Sequence, residues 1–383
     1  MADTLDPSMY SPEFGTAAKL TEWENEPTVL LLKEELDIAK QSHDDHVSQV
    51  QSWLDLRNVT GSVKPKTGEN RSSVQPKLVR RQAEWRYSAL SEPFHTAEDM
   101  FSVKPKTWED TRAAEQNTLV LNYQFRTKLN RVRFIDEFTR TSVDEGTCVV
   151  RLGWLRETDL VEEEVTTWQY EEVVDQVTLD ALQQAMGLRT ENPNEFLNLP
   201  KDLQESVKYS METSVPAMAV AVSSEMAEVE KVRKNQPTLD IINFENFYLD
   251  PSCEGDLDKA AFAVISFETS KAELLKDGRY TNLEKVNWAS NTPLTDADHS
   301  TMTDNSVEFK DDLRKRVIAY EYWGWYDINN DDNLVPICAT WIGNTMIRME
   351  ENPFPDQKLP FVVVPYLPVK RSITGEPDAE LLA

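Results

Sequence analysis

Two histidines one helical turn apart head the chemical inventory. His43 and His46 enclose Asp44 and Asp45, donor types that would suit a divalent metal such as zinc. A zinc site needs further ligands converging from other segments, and His95 and His299 belong to unrelated loops. Histidines on or beside a buried helical stripe account for the pattern without a metal. Asp327, Asn329 and Asp331 copy the first three ligand positions of a calcium loop. Asp332 then stands where that loop needs glycine, and Cys338 where it needs its final glutamate, so a solvated hairpin tip is the better account.

No phosphate-cradling glycine loop, dinucleotide-binding glycine pattern or nucleophile elbow occurs, and no cysteine is paired with a plausible catalytic histidine. With 67 Asp and Glu, carboxylate pairs arise by chance and single out no hydrolase or nuclease dyad. Cys148, Cys253 and Cys338 lie far apart in apolar or turn contexts, the pattern of free thiols in a reducing compartment. The expectation is a chain without catalytic residues, cofactor or metal.

Basic character is local. Arg71, Lys77, Arg80, Arg81 and Arg86 gather with Lys64, Lys66 and Trp85, and Arg126, Arg133 and Arg140 recur every seven residues. Such strips serve phosphates or an acidic partner surface. They also describe a solvated helix face, on which Arg133 meets Glu137 one turn on, or arginines that knit subunits together.

Those residues need elements to position them. Residues 1–25 read as a mobile arm rich in Ser, Thr, Pro and Asp. Leu32, Leu36, Ala39, His43, Val47, Val50 and Leu54 mark an amphipathic helix after Pro27. A second helix is expected from Pro76 to about Pro93 with Leu78, Gln82 and Trp85 inward, and a single long helix from Ala113 to Ser142. In the latter, Leu121, Phe125, Leu129, Val132 and Ile135 form one apolar face while Phe134 and Phe138 form another, which suits a helix between its own core and a neighbour. Gly146 ends it, and Thr147–Trp154 reads as a buried strand.

Residues 159–224 are acidic and less regular, with a short helix between Thr178 and Gly187 and another after Pro200, and read as an insertion. Glu225–Phe247 predicts two strands joined at Asn235, Gln236 and Pro237. Ala261–Glu268 is a strand running into a helix opened by the Ser270 and Glu273 capping box. After an exposed loop over 289–314 come three strand runs, Val317–Ile328, Leu334–Ile342 and Thr345–Glu350, the pattern of an antiparallel meander. Leu359–Tyr366 is a last strand, and Asp378–Leu382 opens a helix inside which the chain stops, as the front part of a longer protein would. The resulting class is α+β: a helical segment with a closing strand over 26–158, the insertion over 159–224, a β-rich segment over 225–352, and a strand with a helical lead-in over 353–383.

The 383 residues are 40% hydrophobic and carry a formal net charge of −27. A core is affordable, and a broadly nucleic-acid-gripping surface is excluded. No apolar run of about 18 residues and no leader pattern is present, so no membrane partner is expected for this segment.

Four ordered segments carry a resemblance. They are Asn70-Arg71-Ser72-Ser73-Val74-Gln75-Pro76 with Arg81-Gln82-Ala83-Glu84-Trp85 and Leu90-Ser91-Glu92-Pro93-Phe94; Ala114-Glu115-Gln116 and Leu121-Asn122-Tyr123-Gln124-Phe125 with Glu145-Gly146-Thr147-Cys148-Val149-Val150; Phe247-Tyr248-Leu249-Asp250-Pro251; and Pro360-Phe361-Val362-Val363 with Gly375-Glu376-Pro377. In this order the chain resembles the wing of portal proteins from short-tailed double-stranded DNA phages. The resemblance implies long helices packed on mainly antiparallel sheets, ending at the start of the stem helix. It further implies a dodecameric ring at one capsid vertex, made in the host cytoplasm, with terminase, the major capsid protein and head-completion or tail proteins as partners and double-stranded DNA passing through. The acidic insertion departs from that pattern. A head-completion or tail adaptor without a channel, and thirdly a nucleic-acid or cell-wall hydrolase, are the alternatives.

Overall fold

The computed structural model describes residues 20–66, 68, 72, 74–173, 175–191, 193–213, 215–290, 292–293, 298–300, 311 and 313–382. They form two compact units, one drawn from residues up to Leu155 together with Gln236 onward, the other from Arg156–Asn235.

In the first unit, helix α1 (Val29–Asn58) opens where the Thr28 hydroxyl accepts the Leu31 N–H at 3.4 Å, and closes at Val59 in the left-handed region. Helices α2 (Leu78–Thr96), α3 (Thr111–Thr127) and α4 (Arg131–Glu145) follow, then strand β1 (Thr147–Glu172), which runs on into the second unit. The second unit holds α5 (Gln176–Glu191), α6 (Pro193–Phe196), α7 (Lys201–Thr213) and most of β2 (Ala217–Ile242). Back in the first unit come β3 (Phe247–Leu249), β4 (Phe262–Ser270), α8 (Lys271–Asp277), β5 (Arg316–Tyr326), β6 (Val335–Ile342), β7 (Thr345–Glu351), β8 (Phe361–Pro365), β9 (Leu367–Pro368), β10 (Gly375–Glu376) and α9 (Asp378–Leu382). Helices packed on antiparallel sheets make this an α+β fold.

Strands β3 to β7 pair in sequence order as a five-stranded antiparallel sheet. On one rung Val264, Tyr322, Ala339 and Met349 stand opposite one another, and α1 lays Leu32, Leu36 and Ala39 across that face. The next rung, Ala263, Trp323 and Cys338, points the other way. There Val149 of β1 and Phe361 of β8 cover it, while Leu274, Leu283 and Val286 cover the end near Val317 and Ile347. With both faces buried, β5 and β6 have little reason to alternate, which is why they read as apolar runs. Each fully buried side chain of this kind contributes about 1.5–3 kcal/mol.

Four expectations need correction. The long helix from Ala113 to Ser142 is two helices, because Asn130 adopts φ 45° and ψ 61°; asparagine tolerates this left-handed conformation, and it breaks the helical ladder without an apolar gap. In α2, Ala83 and Tyr87 face the core while Leu78 and Trp85 are 67% and 68% exposed, and the helix continues past Pro93 to Thr96. The Arg131 guanidinium donates to the carbonyls of Phe94, His95 and Ala97, supplying donors where the helix end has none. Finally, Ala217–Ile242 is one strand rather than two. It is an edge strand in the order β2-β1-β8, where Pro237 costs no ladder hydrogen bond if its ring faces outward.

Within the second unit, the region expected to be irregular is an ordered ribbon of the far part of β1 against β2. Its charges pair across the strands as Lys231 with Glu163, Arg233 with Asp159 and Lys234 with Glu157. Beside it Leu182, Ala185, Phe196 and Val207 form a small core. The Ser206 hydroxyl accepts the Ala219 N–H at 2.7 Å, and the Tyr170 and Tyr209 rings stack 3.8 Å apart.

Candidate functional site

The arginines at heptad spacing do not share one helix face. Arg126 donates to the Glu98 carbonyl at 2.8 Å and lies 3.5 Å from Asp99. Across the Asn130 break, Arg133 pairs loosely with Glu137 at 3.8 Å and stays exposed. Arg140 binds Asp136 at 3.0 Å, approaches Glu84 at 3.8 Å, and sits 4.7 Å above the Tyr87 ring. Phe134 meets Phe125 edge-on at 6.1 Å and Phe138 near-parallel at 6.0 Å. Phe134 also lines a cleft of about 370 Å³ with Arg133, Glu137, Leu239, Asp240 and Ile241.

Of the basic segment, Arg71 lies outside the described residues. Lys77, Arg80 and Arg81 are exposed at the start of α2. Arg86 is different: its guanidinium binds Asp378 at 3.0 Å. Asp378 also accepts the Tyr366 hydroxyl at 3.1 Å, and further along the same helix Glu380 accepts the Trp53 indole N–H at 2.6 Å. Helix α9 is thus tied at its first turn to α1, α2 and the end of the β8 segment.

Behind this tie lies a network that no sequence pattern suggested. Arg57 pairs with Asp144 at 2.9 Å and donates to the Tyr87 hydroxyl at 3.1 Å, and that hydroxyl donates to Asp144. Burial pushes the Tyr87 phenol well above its ordinary value. Burial also raises Asp144, against the Tyr87 hydrogen bond and the Arg57 charge. Nothing local announces such a triad, because its members come from three helices.

Glu145 ends α4, where a negative charge opposes the helix dipole. Its Oε2 is shut off from solvent without a hydrogen-bond partner among the described residues. Burial, with Glu245 and Asp144 nearby, pushes its pKa from the ordinary 4.5 to about 7. Between those values the folded chain keeps a proton that the unfolded chain has released, so stability falls as pH rises across that window. Glu145→Gln should flatten that dependence and stabilise the chain at pH 8 by on the order of 2 kcal/mol; urea titrations from pH 4.5 to 8 with unchanged slope against pH would contradict it.

The other chemically notable residues are absorbed by packing. His43 Nε2 lies 3.2 Å from the Phe244 carbonyl, and its ring sits 4.2 Å from Tyr248. His46 packs edge-on to Phe244 at 4.6 Å, and burial with the neighbouring His43 lowers its pKa. Asp327 accepts the backbone N–H groups of Asp331 and Asp332, each at 3.1 Å, and so shapes the hairpin tip. Burial pushes the Cys148 thiol up to about 12 and Cys338 well above its usual value, which keeps both protonated and poorly nucleophilic. Among the described residues, no group of three or more His, Cys, Asp or Glu is placed to hold a metal ion, and no helix is long and apolar enough to cross a membrane.

The arrangement is therefore a framework of sheet, flanking helices and a tied α9, with cations at its exposed surfaces. A family model described as phage SU10 portal protein matches residues 28–383, from the start of α1 through α9. The helix, meander and lead-in segments all fall inside that match, and the chain belongs to the phage SU10 portal protein family.

Proposed function

We infer that the chain is a subunit of a dodecameric portal ring at one capsid vertex, catalysing nothing itself. Terminase drives double-stranded DNA inward through the ring, the genome later leaves by it, and the major capsid protein and head-completion or tail proteins attach around it. The observation that carries this reading is the family match over residues 28–383. In it, 26–158 and 225–352 serve as wing framework, 159–224 as an acidic insertion, and 353–383 as the lead-in to a stem helix. The ties from Arg86 and Trp53 to Asp378 and Glu380 support that last role, since they fix the direction in which the chain leaves the wing.

The face around Phe134, Phe138 and Arg133 supports a lateral contact. It carries a half-buried aromatic pair beside an open cleft, and Arg133 is held only by a long pair to Glu137. Arg126 and Arg140 are engaged in intramolecular bonds of their own, to the Glu98 carbonyl and to Asp136. Arg133→Glu should lower ring yield severalfold with little change in monomer stability, since surface substitutions cost about 0.5 kcal/mol or less; unchanged ring yield by mass photometry would remove this face from the interface. Electron micrographs of the purified full-length protein test the whole reading. Hollow twelve-fold rings are expected, and monomers or six-fold tubes would overturn it.

A further inference from the structure

His46, Gln49 and Trp53 share one face of α1 by their three- and four-residue spacing. Together with Ser372, Glu376 and Glu380, from the segment that leads into and through α9, they line a cavity of about 370 Å³. No lysine or arginine lines it. Glu376 is half-buried, and neither it nor Glu380 forms an ion pair among the described residues. Glu380 accepts the Trp53 indole N–H at 2.6 Å, so the cavity sits on the tie between α1 and α9.

His46 supplies an independent observation. Its Nε2 is shut off from solvent and has no hydrogen-bond partner among the described residues. Burial and the neighbouring His43 lower its pKa, against a hydrogen bond with Gln49 that favours the charged ring. A bond of that sign runs from a ring N–H to the Gln49 Oε1, and with Nε2 unpaired the donor is Nδ1. The neutral ring therefore holds Nε2 as a bare lone pair, which a donor would satisfy.

We propose that this cavity between α1 and the β10 to α9 turn binds a primary ammonium group carried on an alkyl chain, as in a free polyamine or a lysine side chain. Two carboxylates and a lone pair with no resident cation select a cation that can donate. A metal ion fits less well, because among the described residues no group of three or more His, Cys, Asp or Glu is placed to hold one. The Trp53 indole adds a surface that attracts ammonium ions. An adjoining cavity of about 220 Å³ shares His46 and Ser372 and is lined by Phe244, Leu249 and Val363, which suit an alkyl chain. Its one arginine, Arg371, is offset in charge by Asp250 and Glu254. A cation bound to Glu380 and His46 adds a link across the tie that holds α9 to α1.

The test is calorimetric titration of the full-length chain with butylammonium chloride. Butylammonium should bind at a single saturable site, and tetramethylammonium, which has the charge but no N–H, at least about tenfold more weakly. Glu376→Gln and Glu380→Gln, each isosteric, should weaken butylammonium at least about tenfold, and His46→Phe severalfold. Glu351→Gln removes the same charge from an exposed position outside the cavity and should change nothing. If one of the two cavity glutamine variants fails to fold, the other reads the same site. Tighter binding of spermidine than of acetyl-Gly-Lys-Gly-amide would mark a free polyamine as the source of the ammonium, and the reverse order a lysine of a partner protein. No saturable binding by the wild type, or equal binding of tetramethylammonium, would overturn the proposal. So would equal losses in Glu351→Gln and Glu376→Gln, since these describe the diffuse attraction of a chain with a charge of −27.

Discussion

Glu321→Ala should lower the unfolding free energy by about 3–5 kcal/mol, the cost of breaking a buried ion pair from one side. Glu321 is fully buried in the centre of β5. Its Oε1 accepts from Arg151 at 2.7 Å and from the Trp323 indole at 2.6 Å, and Arg348 approaches Oε2 at 3.8 Å. The Arg348 side chain is itself only 4% exposed and also pairs with Glu350. Alanine at 321 leaves a buried guanidinium and a buried indole N–H short of an acceptor. Urea unfolding measures the loss, and a value under about 1 kcal/mol would show that the charges relax into water. The companion triple variant, Glu321→Met with Arg151→Met and Arg348→Met, removes all three charges and should recover most of the loss. Such recovery would identify desolvation, rather than poorer packing, as the cause.

Gly146→Ala should cost about 2–4 kcal/mol, combining left-handed strain with overpacking. Gly146 has φ +77°, and a Cβ there would stand 2.5 Å from the Gly375 carbonyl oxygen and 2.8 Å from backbone atoms of Glu376 and Pro377. None of these belongs to a side chain that could swing aside. The same junction is stapled by the Tyr366 N–H to the Gly146 carbonyl at 2.8 Å and the Gly375 N–H to the Thr147 hydroxyl at 3.0 Å. An added methyl therefore pushes the α4 to β1 turn away from the segment that starts α9. Gly278→Ala is the control, because Gly278 has φ +74° with nothing within 4 Å of the added carbon; it should cost only about 1 kcal/mol. Equal losses in thermal or urea unfolding would mean that backbone strain alone, and not the close approach of 375–377, makes Gly146 necessary.

These two sites differ in how far the sequence reveals them. Gly146 is legible as the end of a helix, since glycine after a periodic apolar run is the ordinary helix stop. Its contact with Gly375 is not, because nothing local ties positions 146 and 375. Likewise Glu321 reads as one more residue in an apolar strand, and Arg151 as one residue of the strand Thr147–Trp154. Only the packing of β1 across the β5 face brings them to 2.7 Å.

Legibility in the sequence is therefore a local matter. The Ser270 and Glu273 capping box forms as read, with Glu273 accepting the Ser270 N–H at 3.1 Å. The three-strand meander follows from turn residues and apolar runs, and the α+β class from both together. Caps, turns and periodicity act over a few residues, so their physics is complete within a short window. Long-range packing settled the rest. A single left-handed residue, Asn130, split an unbroken apolar pattern into two helices and put Arg126 on a different helix from Arg133 and Arg140, since periodicity carries no information on one backbone dihedral. The ribbon over 156–235 lacked alternation because much of each face is exposed, leaving little to select a pattern. Which face of α2 is inward was set by the close approach of α4, which admits Ala83 and Tyr87 and leaves Trp85 in solvent. That burial depends on which elements meet, and the partners lie tens to hundreds of residues away.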